Sequence, residues 1–344
     1  AQQYGDWARA AELFSTVVRT EVGETEVWYR RGVCYEKLLG SLEEKGQKDS
    51  SHMVDTAIAD FTRAIQLDSS NANAWNMRGL VRLRHVASFA EAVEDFTRAI
   101  GLNQRFADAY RYRGEAYMGL QKYNEAAADF AKLIAIAPHD HRAYRERAMA
   151  RNKLGKHKGA VNDYTKVLEI VAGPYSRDAD KVRGEALKLR GETYLKLGEY
   201  DLASADHAKA KACLRPEAMG EIAHLWADRA SVLLEKGDHA GAMKLYTRTL
   251  EFSPGVYRAY AGRAKANFRL GRYEHTVRDC DTLLAHDPES YVDYVLRAHA
   301  LRKLGRTEAA VADLRKALSI AREVGSATDS LVTAIKDLGY EPDE

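Results

Sequence analysis

The sequence predicts an all-α protein in which antiparallel helix pairs stack as an α-solenoid. Three observations support this fold class. A small residue that follows an arginine recurs at intervals near 34 residues, a large residue lies four positions before it, and glycines recur close to where the first helices should end. Units of this size bury their apolar faces against one another, so residues at repeated positions are expected to pack rather than to carry chemistry.

The first helix of each unit is marked by a large residue and, one turn later, by a small one on the same helical stripe. The large residues are Trp28, Trp75, Tyr110, Tyr144, Leu187, Trp226, Tyr260 and Tyr294. The small residues are Gly32, Gly79, Gly114, Ala148, Gly191, Ala230, Ala264 and Ala298. Pairs such as Leu154-Gly155 follow several of these helices, and a helix commonly ends at such a glycine because it accepts a positive φ.

The second helix of each unit carries a small residue and, four positions later, a bulky one. These pairs are Ala57 and Phe61, Ala92 and Phe96, Ala126 and Phe130, Ala160 and Tyr164, and Ala242 and Tyr246. Small residues facing large ones let neighbouring helices approach closely and interdigitate. Pro138, Pro254 and Pro288 fall in the joints between units, where the loss of a backbone donor costs little.

Together these residues resemble the tetratricopeptide repeat, most clearly between Ala109 and Pro138, and the resemblance covers nearly the whole chain. It implies a right-handed superhelix of antiparallel helix pairs whose first helices line a concave groove. It also implies that the groove holds a peptide or a helix from another protein, so we expect a scaffold or adaptor within a larger intracellular assembly.

The repeat pattern predicts where each unit begins and ends. The divisions are residues 1–24 (second helix of a truncated repeat), 25–71, 72–106, 107–140 and 141–172 (repeats), 173–183 (linker), 184–217, 218–256, 257–290 and 291–324 (repeats), and 325–344 (capping helix and tail). The half repeat at the start suggests a fragment of something longer, or a first helix supplied by a partner. Residues 41–54 form a polar insertion without helical periodicity, for which a functional loop and a tolerated excursion both stay open.

An arginine and an aspartate recur with the repeat. Arginine precedes the small residue of the first helix at Arg31, Arg78, Arg113, Arg147, Arg190, Arg229, Arg263 and Arg297. Aspartate precedes the bulky residue of the second helix at Asp60, Asp95, Asp129, Asp163, Asp206, Asp279 and Asp313. We expect structural ion pairs between helices, within or between units, that constrain helix register. Leu245 replaces the aspartate once, so either Arg229 or Arg263 should be less restrained and freer for a ligand.

The resemblance also indicates which residues would line the groove. These are Asn73, Asn76, Met77, Arg111, Tyr112, Glu115, Arg142, Arg145, Met149, Lys153, Lys188 and Lys265. Residues 142–158 are rich in arginine and lysine, which is consistent with a solvated face or with a site for an acidic or phosphorylated partner. Related repeats clamp the acidic tail of a chaperone with a lysine and an asparagine. These two residues do not occur as a pair here, so the co-chaperone role is kept only as a weaker alternative.

Catalytic and metal-binding motifs are not evident, so the sequence predicts neither an enzyme nor a cofactor or metal site. His139-Asp140-His141 is interpreted as a helix cap rather than as a metal ligand set. His207 occupies a bulky core position, where a packed and hydrogen-bonded histidine is expected. A targeting arm of a multidomain enzyme is retained as an alternative function.

Composition excludes several kinds of partner. The formal net charge is +2, and no repeated pair of base-reading residues occurs, so we expect no nucleic acid partner. No stretch approaches about 18 consecutive apolar residues, so we expect no membrane insertion. Cys34, Cys213 and Cys280 are far apart and are interpreted as small core residues of a reducing compartment, which favours the cytoplasm.

Overall fold

A computed structural model of the chain describes residues 2–19, 24–44, 51–172 and 177–342. These residues form α-helices joined by short turns, and no strand occurs among them. The prediction of an all-α protein built from helix pairs is therefore confirmed. The chain divides into two compact units, residues 1–179 and 180–344.

Consecutive helices of the first unit pack against one another as a series of hairpins. The helices are α1 (Gln2–Arg19), α2 (Thr25–Glu44), α3 (Ser51–Leu67), α4 (Ala72–Val81), α5 (Phe89–Leu102), α6 (Ala107–Gly119), α7 (Tyr123–Ile136), α8 (His141–Lys153) and α9 (His157–Ile170). A π-helical turn, Arg82–Val86, continues α4. The even-numbered helices are the first helices of their hairpins.

The second unit has the same construction. Its helices are α10 (Arg177–Leu197), which begins just before the boundary, α11 (Tyr200–Lys211), α12 (Pro216–Glu235), α13 (His239–Phe252), α14 (Tyr257–Arg269), α15 (Tyr273–His286), α16 (Tyr291–Lys303), α17 (Thr307–Glu323) and α18 (Asp329–Lys336). Leu331 and Ile335 of α18 are buried with the apolar side chains of α17. The last helix therefore covers the end of this unit, as a capping helix does.

The small and bulky residues of each hairpin meet as the sequence predicts. Phe61, Phe96 and Phe130 are fully buried, and each ring lies against the glycine of its own first helix. A Cβ atom added at Gly114 would lie 2.7 Å from the ring of Phe130, which is closer than packed atoms approach. The glycine is needed at this position because the aromatic ring occupies the space of a side chain.

Two expected irregular segments are partly helical. Helix α2 continues through Glu44 and α3 begins at Ser51, so both ends of the 41–54 insertion are helical, while residues 45–50 lie outside the described part of the chain. Val54 is buried with Ala57 and Phe61 because the three share an apolar stripe that starts earlier than we expected. Helix α10 likewise begins at Arg177, inside the expected linker, and residues 173–176 are not described.

The second unit contains a buried histidine in place of the usual aromatic ring. Trp226 donates a hydrogen bond from Nε1 to Nδ1 of His207 over 2.8 Å, and Nε2 of His207 lies 3.2 Å from the carbonyl oxygen of Lys188. The bond from Trp226 makes Nδ1 an acceptor, so the neutral ring carries its proton on Nε2. Burial lowers the pKa of His207 to about 4, and the prediction of a packed, hydrogen-bonded histidine is confirmed.

Replacing Ala126 with leucine should destabilise the hairpin of α6 and α7. Ala126 is fully buried beside Phe130 and Leu133, and extra methyl groups in such a site cost about 1–3 kcal/mol. Ala128 on the same helix is exposed, so Ala128→Leu is the matched control and should change stability by less than about 0.5 kcal/mol. Urea unfolding followed by circular dichroism measures both variants. Equal effects would contradict this helix register.

Acid should destabilise the second unit through His207. Between about pH 4 and pH 6.5 the unfolded chain binds a proton at this histidine and the folded chain does not. The stability that comes from keeping His207 neutral is therefore fully present above pH 6.5. It is lost as the pH falls toward 4, by an amount on the order of 3 kcal/mol. Unfolding free energies measured across this range should vary less in His207→Phe. The pH dependence of the unfolding free energy should be unchanged in His139→Gln, which alters an exposed histidine.

Candidate protein-binding surface

The repeated arginines and aspartates form ion pairs between the two helices of one hairpin. Nε and Nη2 of each arginine donate to the two carboxylate oxygens over 2.6 to 3.0 Å. The pairs are Arg31 with Asp60, Arg78 with Asp95, Arg113 with Asp129, Arg147 with Asp163, Arg190 with Asp206, Arg263 with Asp279 and Arg297 with Asp313. The aspartates are buried, so these arginines hold the scaffold together and are not free to meet a partner.

Arg229 is the arginine that Leu245 leaves without an aspartate. Arg263, the other alternative, is bonded to Asp279. Nε of Arg229 is buried and has no hydrogen-bond partner among the described residues. The leucine at this position of the second helix therefore leaves the buried Nε of Arg229 without an acceptor among the described residues.

The basic stretch 142–158 presents less charge than its sequence implies. Arg147 and Arg151 both bind Asp163, at 2.6 Å each, and Nη2 of Arg145 lies 2.9 Å from Glu146. Arg142, Lys153 and Lys158 are among its exposed cations. The sequence predicted an ion pair for Arg147 but not for Arg151, and this additional pairing weakens the support for a strongly acidic partner at this stretch.

A π-helical turn places an arginine on the first-helix side of the first unit. The interval from Gly79 to Gly114 is about one residue longer than the usual period of about 34, and the turn at Arg82–Val86 accommodates the extra residue. Ala87 then ends the helix with a φ of 55°. The guanidinium of Arg84 consequently lies 5.6 Å from the ring centroid of Tyr112 and 3.4 Å from a carboxylate oxygen of Glu36.

The carboxylate of Glu36 is nearly buried and incompletely bonded. Its side chain is 4% exposed, and the ion pair that Oε2 makes with Lys37 is long, at 3.4 Å. Oε2 receives no hydrogen bond from any residue that the structure describes. Both Lys37 and Arg84 are half exposed, so they can move away when another donor arrives. Buried carboxylates in folded proteins normally accept several hydrogen bonds, which makes this one unusual.

Opposite charges continue along α6 and α8. Glu115 is partly buried, and this burial raises its pKa, as does the neighbouring carboxylate of Glu146, whereas Arg84, Arg111 and Arg145 lower it. Arg111 binds Asp140 at 2.8 Å, and its buried Nε has no partner in the described part of the chain. We call Glu36, Arg84, Arg111, Tyr112, Glu115, Arg145 and Glu146 the first-helix network. It spans four consecutive first helices and offers both charges beside an aromatic ring.

The expected groove residues fall into four groups. Asn73, Arg142, Met149, Lys153 and Lys265 are exposed, while Arg111, Tyr112, Glu115 and Arg145 lie together in the first-helix network. Met77 is half-buried and packs against the core cluster that contains Phe61, and Asn76 is buried with no partner for Oδ1 among the described residues. Lys188 lies in the second unit, where it is bonded to Glu221. Sequence reasoning missed Glu36, Arg84 and Glu146, although the longer interval after Gly79 marked the place of Arg84.

The histidines that flank Asp140 belong to a helix cap. Oδ1 of Asp140 accepts a hydrogen bond from the backbone N–H of Arg142 over 3.0 Å, and Oδ2 accepts from Arg111. This confirms the capping interpretation, because both carboxylate oxygens are used. The described residues contain no cluster of His, Cys, Asp and Glu that suits a metal ion. None of the described helices is both long enough and apolar enough to cross a membrane.

Comparison with known proteins gives the same family at several places. Profiles of the tetratricopeptide repeat match residues 107–140, 227–275 and 294–324. A segment of 106 residues is 28% identical to the tetratricopeptide repeat protein 4 homolog of Dictyostelium discoideum and covers 30% of this chain and 27% of that protein. The match thus spans about a quarter of the length of that relative.

One solved structure shows the same fold over nearly the whole chain. A chain in the structure of Naa15/Naa10 bound to HypK-THB is 20% identical, with a TM-score of 0.51, and the match covers 96% of this chain and 49% of that chain. A crystal structure of MamA protein is 24% identical, with a TM-score of 0.43 and coverage of 50% and 86%. The repeated residues, the hairpins that they form and the matched profiles show that this chain contains tetratricopeptide repeats.

Proposed function

We propose that this chain is a protein-interaction scaffold and that its first unit holds a segment of a partner protein against the first-helix network. Tetratricopeptide repeats generally serve as interaction modules, which supports the general role. The position of the site is supported by the network itself, because its charged groups lie on the helices that line the groove in this family. The scaffold acts within a larger assembly of proteins.

The unbonded carboxylate oxygen of Glu36 carries this proposal. A partner that supplies a backbone N–H or a basic side chain would complete its hydrogen bonds, and Arg84 would then be released toward an acceptor on the same partner. The ring of Tyr112 offers an apolar contact between the two charges. An extended peptide or a helix with both basic and acidic groups fits this arrangement better than a uniformly acidic tail.

Peptide display tests this site. The immobilised chain should enrich peptides with a shared motif from a random library, and Glu36→Gln and Arg84→Gln should each weaken binding of those peptides by about tenfold or more, since each removes a charged hydrogen-bonding partner. Arg98→Gln is the control, because Arg98 is exposed on the second helix α5. Fluorescence anisotropy measures the dissociation constants.

Two results would contradict the proposal. One is enrichment of peptides that bind both first-helix variants as tightly as the unchanged chain. The other is loss of binding only in Arg98→Gln, which would place recognition on the second helices. Circular dichroism of each variant separates weaker binding from loss of folding.

A further inference from the structure

Helix α12 of the second unit exposes a face that most of the other first helices bury. Leu225 lies four residues before Arg229, and Val232 lies three residues after it, so the three side chains share one face. Leu225 is 38% exposed and Val232 is 36% exposed. We call Leu225, Arg229 and Val232 the α12 stripe.

Most of the equivalent positions elsewhere are small and buried. Four residues before the arginine, most units have a buried alanine: Ala74, Ala109, Ala143, Ala186 and Ala259. Three residues after the arginine, the other units bury Cys34, Val81, Ala116, Ala150, Thr193, Ala266 and Ala300. The α12 stripe therefore replaces a packing surface with larger, exposed apolar groups.

The buried pair of Trp226 and His207 accounts for this exposure. Trp226 is fully buried, whereas the aromatic residues at its position in other units, such as Trp75 and Tyr110, are only half-buried. Its hydrogen bond to His207 draws the Trp226 side of α12 inward. A helix that turns one side further into the core turns another side out, and that side carries the α12 stripe.

Arg229 lacks both acceptors that the other arginines use. Besides the aspartate, several arginines bind the residue that follows the bulky position of the preceding second helix, namely Ser15, Thr62, Thr97, Thr247 or Asp281. For Arg229 this residue is Ala208, which follows His207. Leu245 occupies the position that the aspartate has in the other units. Arg147 faces an alanine too, Ala131, but it keeps Asp163.

The guanidinium of Arg229 can nevertheless reach a ligand. Its Nε is buried and has no partner among the described residues, while the residue as a whole is half-buried, so part of the residue remains accessible to solvent. A planar guanidinium edge binds a carboxylate or a phosphate with two parallel hydrogen bonds. The apolar residues of a bound segment that cover Leu225 and Val232 would exclude water from that edge, which strengthens the pairing.

We propose that the α12 stripe docks a segment of a partner protein that presents an acidic side chain between two apolar ones. The acidic group binds Arg229, and the apolar residues cover Leu225 and Val232. This site lies in the second unit and does not depend on the first-helix network.

Replacing Leu245 with aspartate gives a direct test, because it should complete the ion pair inside the hairpin and occupy Arg229 without removing any residue of the stripe.

The side-chain Nε–Hε resonance of Arg229 is followed by NMR during titration with acetate, and separately with inorganic phosphate, at constant ionic strength. We expect a saturable shift with at least one anion in the unchanged chain, while resonances of the paired arginines stay in place. The anion that binds more tightly distinguishes a carboxylate from a phosphate. In Leu245→Asp the shift should be lost.

The second arm is a peptide-display selection. The unchanged chain should enrich peptides with an acidic residue between apolar ones, and Leu245→Asp should bind them at least about tenfold more weakly. If Leu245→Asp fails to fold, Ala208→Thr is tested in its place, because it supplies a different internal acceptor for Arg229 and should also weaken binding. Arg269→Gln is an exposed control in the same unit. The proposal is wrong if Arg229 shows no anion-dependent shift or if the enriched peptides bind Leu245→Asp unchanged. The Arg84→Gln variant should retain this binding, which separates failure here from failure of the first-unit site.

Discussion

The buried pair of arginine and aspartate that joins the two helices of a hairpin determines where the other repeat residues lie. Both nitrogens of the guanidinium edge meet both carboxylate oxygens, so a hairpin that slipped by one residue would lose two charged hydrogen bonds and leave two charges stranded. Apolar contacts between helices tolerate such slips far better, because they have no direction. The pair thus specifies the register in which Phe130 meets Gly114.

Both candidate binding surfaces arise where this regular arrangement is interrupted. In the first unit, one extra residue produces the π-helical turn that brings Arg84 to Glu36 and Tyr112. In the second unit, Leu245 removes an aspartate and leaves Arg229 unsatisfied. Repeated positions are committed to packing, so groups available for recognition are found where the repeat departs from its own pattern.

Much of the fold follows from the sequence because it depends on local spacing. The helix pairs, the buried Phe61 and the capped start of α8 all come from contacts between residues at fixed intervals. The candidate sites were less predictable, since they depend on which helix a charge faces. Asp163 binds two arginines of what looked like an open basic stretch, and Glu36 meets Arg84 across 48 residues of sequence.

The cost of removing single arginines tests the role of the pair most directly. Arg113→Ala strands the buried carboxylate of Asp129 and should lower the unfolding free energy by about 3 kcal/mol or more. Arg229→Ala strands no carboxylate and should lower it by less than about 1 kcal/mol. Urea unfolding of both variants, each compared with the unchanged chain, provides the two values. Equal losses of unfolding free energy would contradict the account, because they would show that the arginine contributes the same stability with and without its aspartate.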